Sequence, residues 1–237
     1  MTNHSEIPWK RITAEGVVIV VSILLAFSID AWWEERLARS AEIEQLVRVS
    51  EEIEANSERI QRKLETISVA IEATAEFISW MGPQPVDVTA DVYHSQWNKF
   101  YSIGTFSVLR SAVQDYLAAG QTGKARHADI RHAVSEWHSY ADDLEKQYDL
   151  LRIAHAHISD YLEDSVPILH SIRVSGVMDG HPTSKFPYDH LSVLSDPLFE
   201  SRIALYLLRL EFVSSQALDL QRRQLMLVDR IRSATTE

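Results

Sequence analysis

Ten histidines and no cysteine set the chemistry open to this 237-residue chain. Without cysteine there is no disulfide frame, no thiolate metal site and no thiol nucleophile. His132 and Glu136 stand four apart, a spacing that on a helix presents two metal ligands from one face, and His138 with Asp142 repeats it. A bundle metal centre needs more: a His-Glu-x-x-His motif, or a Glu-x-x-His pair repeated on two helices. The sequence supplies neither. His155 and His157, two apart, diverge on a helix; His155 falls on an apolar row, where a hydrogen-bonded core histidine is expected. His181 and His190 lie in an irregular stretch. The reading is no bound metal and no cofactor, with His132 and Glu136 as the weak metal candidates and pH sensing by a seam or loop histidine as the other use.

The remaining catalytic patterns fail on spacing. Gly120-Gln121-Thr122-Gly123-Lys124 lacks the glycine five residues before its Gly-Lys pair and the Ser or Thr after it, and no strand precedes it. It reads as a helix stop followed by a linker. Glu51–Glu52 and Asp142–Asp143 are sequence neighbours, point apart on a helix, and read as solvated faces. No strand-turn-helix nucleophile site is present to organise a Ser-His-Asp set. No catalytic residue is assigned, and the expectation is a protein that is not an enzyme.

The elements that position these residues are helices. Seven Gly and seven Pro are few for this length, where average usage gives roughly 16 and 12. So few turn-formers exclude the many tight corners of a β-sandwich or barrel. The 23 basic and 34 acidic residues leave −11, which argues against nucleic acid as the main partner.

Gly16 to Ile29 carries no charge and only Ser22 and Ser28 as polar residues. Its flanks extend it: Pro8 suits a first helical turn, Trp9 and the Trp32–Trp33 pair suit two interfaces, and Lys10 and Arg11 snorkel. From Pro8 to Trp33 is about 39 Å of helix, enough to cross a bilayer with tilt. Glu15 and Asp30 bracket the apolar run and reach headgroups from its ends, or pair there. Ser22 and Ala26 form a small-xxx-small pair. A cleaved signal peptide with Ala26-Phe27-Ser28 as its site is the competing reading; the pattern runs through Asp30 and two Trp into a polar helix, which a cleavage site does not need. The Lys/Arg flanks are balanced, so orientation is weakly set; the expectation is N-terminus inside and body outside.

Leu46, Ile53, Ile60 and Ile67 recur every seven residues, with Leu64, Ile71 and Ile78 in the intermediate row. The anchor helix is therefore expected to run on to about Met81, with Asn56 on the seam's edge, fixing register or lying on the surface. Gly82-Pro83-Gln84-Pro85 ends it. Residues 82–105 read as an irregular connection carrying Tyr93, Trp97, Phe100 and Tyr101. A short helix follows from Phe106 to Ala119, with Gly120 as its stop. A long one runs from about Ala125 to Asp164 and stops before Pro167. Residues 170–196 read as a second irregular stretch, holding Gly176, Gly180, Pro182 and Pro187.

Pro197 opens the last helix, to about Ser233, with the seam Ile203, Tyr206, Leu210, Val213, Ala217, Leu220, Gln224, Leu227, Ile231. Leu205, Leu208, Phe212, Leu218 and Leu225 widen its apolar face, so burial on more than one side is expected. The fold class is all-α: residues 1–33 as tail and transmembrane anchor, continuous with a bundle over 34–237 of three long helices and a short one. Its 3-4 seams are of coiled-coil type, packed antiparallel at about +20°.

The segment Ile23-Leu24-Leu25-Ala26-Phe27-Ser28-Ile29-Asp30-Ala31-Trp32-Trp33-Glu34-Glu35-Arg36, with Arg39, Glu42 and Leu46, resembles a family of uncharacterised bacterial membrane-anchored proteins. Glu15, Asp30, Trp32, Glu34, Arg36, Arg39, Glu42 and Leu46 fall on its pattern, and Thr105 to Gly120 and Ile130 to Trp137 look like its central region. Trp33 and Ala119 depart from it, where the family favours Asn and Ser. The resemblance implies a single-pass protein of the bacterial inner membrane with a helical body. It implies no activity.

The expected function is a scaffold, assembly factor or accessory subunit of a membrane complex, partnered by the membrane, by another protein and/or by further copies of itself. Its anchor and interface residues are Glu15, Asp30, Trp32, Trp33 and Arg36. The irregular stretches are the expected contact surfaces. A sensory bundle relaying to a partner and a metal-dependent bundle enzyme are the alternatives.

Overall fold

The computed structural model describes residues 9–101, 103–119, 127–167, 169, 184–187, 189 and 191–236, with side chains from residue 15 onward. Among the described residues there are five longer α-helices, one 3-10 turn and no strand, and the fold is all-α. Helix α1 spans Trp9–Trp80, α2 Ala90–Tyr101, α3 Ser111–Ala119, α4 Ala128–Ser165 and α5 Pro197–Thr236, with the 3-10 turn at Val193–Ser195. Two compact units divide the chain, Met1–Arg48 and Val49–Glu237.

In the second unit the seams read from sequence form the core. All nine named positions of α5 are buried, and so is the 3-4 row of α4 that runs Ile130, Val134, Trp137, Ala141, Leu144, Tyr148, Leu151, Ile158, Leu162, with His155 half-buried in it. Helix α5 runs antiparallel to α1 and to α4. Gln221 Nε2 donates to Gln61 Oε1 at 3.0 Å and Arg232 pairs with Glu54 at 2.9 Å. Arg202 Nη1 donates to the His157 carbonyl. Helices α1 and α4 are therefore parallel to each other, and the chain must travel back along the bundle between them.

That return is built from α2, the non-helical residues 103–110 and α3. Where irregular backbone was expected at 82–105, α2 forms, because Tyr93, Trp97 and Phe100 repeat at helical spacing and give it one apolar face. Asp91 complements its N-terminus, and the Thr89 hydroxyl accepts from the Val92 N–H at 3.5 Å. The three rings are buried, so this stretch is core and not the exposed contact surface expected. Phe77 of α1 meets Tyr93, Trp97 and Phe100 at ring separations of 5.1, 5.8 and 6.0 Å. Here the buried row of α1 turns onto Ala70, Ala73, Thr74 and Phe77, leaving Ile71 and Ile78 half-buried at its edge. Small side chains at 70 and 73 leave room for the rings.

The expected helix from Phe106 starts only at Ser111, because side chains of α1 and α4 claim the backbone before it. Asn56, fully buried, donates to the Leu109 carbonyl and accepts from its N–H, both at 2.7 Å. Glu145 accepts from the Val108 N–H at 2.8 Å. Gly104, at φ +57, makes the turn out of α2, and Tyr148 donates to the Ile103 and Gly104 carbonyls at 2.5 and 3.0 Å. Lys63 donates to the Ile103 carbonyl at 2.7 Å. Glu52 then accepts from Ser111 Oγ and from the Ala112 and Val113 N–H groups at 2.8, 3.0 and 3.1 Å. It caps α3 from a different helix, which corrects its reading as a solvated carboxylate. Helix α4 ends as expected before Pro167, with Val166 extended at φ −139, ψ 148. Gly120 to Lys124, Pro8, and the glycines and histidines of 170–183 lie outside the described residues, as does His190.

Two substitutions test this packing by chemical denaturation. Asn56→Ala strips both bonds from Leu109 and is expected to cost about 2 kcal/mol. Gln224 is 1% exposed and neither amide atom has a partner. Gln224→Leu is therefore expected to stabilise the body by about 1 kcal/mol, since it removes an unsatisfied group from the seam.

Candidate interaction face

Among the described residues one helix, α1, is long and apolar enough to cross a membrane. From Glu15 to Ser40 every residue is exposed, Val17 to Ile29 included. The two hydroxyls inside this run are satisfied within the helix: Ser22 donates to the Val18 carbonyl and Ser28 to the Leu24 carbonyl, both at 2.8 Å. No side-chain polar group in the apolar stretch is thereby left needing water. Glu15 and Asp30 bracket the run. Trp32 and Trp33 lie 6.3 Å apart, and the Arg36 guanidinium is 5.6 Å from the Trp32 ring centroid. Of the expected anchor residues these last three therefore form one cluster, an aromatic pair with a cation at the polar end of the span.

The weak metal candidates come together only as a surface pair. His132 Nε2 lies 3.6 Å from Glu136 Oε1, with both side chains more than half exposed. No group of three or more possible ligands occurs among the described residues. His138 is 4.0 Å from Asp142, but Asp142 also binds Arg110, whose other nitrogen reaches Glu145 at 2.5 Å. Asp142 is thus a tie between the return segment and α4, where a solvated face was expected.

His155 does face the core, beside Tyr101 at 4.1 Å and Tyr206 at 5.9 Å between ring centroids. Its Nε2 is buried and has no hydrogen-bond partner, which corrects the expectation of a bonded core histidine. Burial holds its pKa below the usual 6.5. Burial likewise pushes Tyr148 up to about 12 and raises Tyr206, so both phenols act as donors, Tyr206 to the Phe100 carbonyl at 3.1 Å.

The feature that sequence reading misassigned lies on α5. Leu205, Leu208, Phe212, Leu218 and Leu225, expected to be buried on a second side, are 42%, 63%, 45%, 48% and 61% exposed. Three of them belong to a second row, Leu198, Ser201, Leu205, Leu208, Phe212, Ser215, spaced 3, 4, 3, 4, 3 like the core seam. At 100° per residue its centre lies about 150° from that of the core row, nearly on the opposite face of the helix. No charge interrupts it over five turns. Asp219, bonded to Arg223 at 2.7 Å, and Arg222 end it.

Toward α4 the helix carries Arg202, Arg209 and Arg223 on one edge, with Gln216 at the intervening heptad position. Arg202 lies 5.5 Å from the Tyr161 ring centroid and Arg223 3.8 Å from that of Tyr140. Between the helices a groove of about 180 Å³ is lined by Trp137, Tyr140, Arg223 and Arg230. None of these side chains forms a nucleophile–base pair. The signal is the broad apolar face of α5, which is legible in the sequence; periodicity does not separate burial within the chain from burial between chains.

The sign of one pH effect follows from His155. Its neutral form is favoured in the folded state, so the unfolded chain takes up the proton first as pH falls. Stability is full above roughly pH 6.5 and declines below it. Denaturation midpoints between pH 8 and 5 should fall in the parent and fall less in His155→Phe. Equal slopes would remove His155 from the account.

No protein-family model, curated protein or solved structure matches this chain, so the likeness of the anchor to bacterial membrane-anchored proteins stands on its own residues.

Proposed function

We propose that this chain is a single-pass protein of the bacterial inner membrane whose extracytoplasmic helical body works by docking other proteins, as scaffold, assembly factor or accessory subunit, without catalysis of its own. The observation that carries this reading is the second apolar row of α5. Monomeric soluble proteins rarely leave long contiguous apolar patches bare, and Leu198, Leu205, Leu208 and Phe212 are 42–63% exposed along one helix. The exposed apolar run of α1, with its internally bonded serines, supports the anchor. The bacterial membrane rests on the resemblance of the Asp30 to Arg36 segment, and the sidedness on a long body being translocated largely regardless of its charge.

Full-length protein crosslinked in its membrane before extraction should run on denaturing gels as a species larger than one chain. Leu205→Glu, Leu208→Glu and Phe212→Glu together should remove that species while helical content by circular dichroism is unchanged. These side chains are exposed, so their loss costs the fold little. Unaltered migration of the triple variant would refute docking through this row.

A further inference from the structure

We infer that the occupant of the second α5 row is the same row of a second copy of this chain, laid parallel to it about a twofold axis. This rests on the docking role proposed above and names its partner. Two observations select a second copy.

The first is that the row is uncharged from Leu198 to Ser215. A chain of net charge −11 repels its own kind over most of its surface, and here that repulsion is absent from the contact line. Leu205, Leu208 and Phe212 form three successive apolar layers. Ser201, which donates to the Pro197 carbonyl at 2.8 Å, and Ser215 are small residues that let the helices approach at either end.

The second is charge complementarity at the edges. Arg209 stands on the edge toward α4 and Glu211 on the opposite edge, each about 80° from the centre of the row. Neither has a partner among the described residues, although the other arginines of that edge near the row, Arg202 and Arg223, are engaged with α4 or with Asp219. In a parallel helix pair, each copy's edge on one side of the seam faces the other copy's opposite edge. Arg209 of each copy then meets Glu211 of the other, twice per pair. In an antiparallel pair like edges meet, and arginine faces arginine. The charges therefore specify direction as well as partner.

The row is about 27 Å long, at the small end of specific interfaces, on the order of 1,000 Å² in total. Such a contact is weak between dilute molecules. Confinement of both copies to one bilayer raises their effective concentration, so the pair is expected in membranes and should dissociate on dilution in detergent.

The absence of cysteine makes the test clean. Full-length single-cysteine variants Leu205→Cys, Leu208→Cys and Phe212→Cys are oxidised in the membranes of producing cells. Each should give a disulfide-linked pair of two copies, identified by mass spectrometry, because a parallel twofold brings each position to itself. Val69→Cys, exposed on α1, should give at least tenfold less. On the Leu208→Cys background, Arg209→Glu should cut the linked pair at least fivefold, and adding Glu211→Arg should restore it.

Restoration separates a lost contact from a lost fold. In cells producing the Leu205→Cys and Leu208→Cys chains together, a 205–208 mixed pair without same-position pairs would overturn the parallel arrangement. A product joining position 208 to a different protein, with no self-product, would overturn the second copy and leave the docking role intact. No product with either would end both.

Discussion

Backbone that is neither helix nor strand has no ladder to satisfy it, and residues 103–110 cross the body in that state. Every other placement depends on how that stretch is held. Glu52, Asn56 and Lys63 lie on one side of α1 and bind Ser111 to Val113, Leu109 and Ile103 in that order. The order runs backward along α1, so the segment is antiparallel to it. From the other side Glu145 and Tyr148 of α4 hold Val108 and Ile103. With the return fixed by side chains of both helices, α1 and α4 are parallel and α5 closes against the pair. Burial of the Lys63 ammonium, which lowers its pKa, is accepted in exchange for a satisfied carbonyl at the turn.

The parts that were legible in the sequence are those where a helix answers to its own period. The seams of α4 and α5, the stop before Pro167 and the end of α1 at Trp80 followed from 3-4 spacing and from proline chemistry. What was not legible depends on partners far along the chain. The start of α3 is set by a carboxylate some 60 residues upstream, and Leu109 is held out of a helix by Asn56 at a similar remove. No local propensity encodes such a cap. Helix α2 is a different failure. Its aromatic spacing was present, but Gly82-Pro83-Gln84-Pro85 before it read as the start of a loop, and the loop was carried too far.

The candidate site was half legible for a related reason. Periodicity reports that a helix has two apolar rows; it does not report what covers each. In α5 the core row and the Leu198 to Ser215 row have the same spacing and similar residues. Only packing tells them apart, with one row at most 3% exposed over Ile203 to Ala217 and the other at least 42% exposed at its Leu and Phe positions.

The arginine edge of α5 explains how two such rows are kept from exchanging roles. If α5 rolled by about 150°, Leu205 and Phe212 would enter the body in place of Tyr206 and Val213. Arg202 and Arg223 would then be drawn off the rings of Tyr161 and Tyr140, which they cover from opposite ends of the α4–α5 contact. The Tyr206 phenol, which donates to the Phe100 carbonyl at 3.1 Å, would leave that acceptor buried and unpaired. Cation–π contacts of about 0.5–2 kcal/mol each and one buried hydrogen bond of about 1 kcal/mol are small singly. They act in the same direction as the length of the core row, which runs on through Leu220, Leu227 and Ile231 after the outer row has met Asp219 and Arg222. The helix is thus addressed by its core row and its polar residues together, and the apolar row it leaves outside is available for contact because they hold it there.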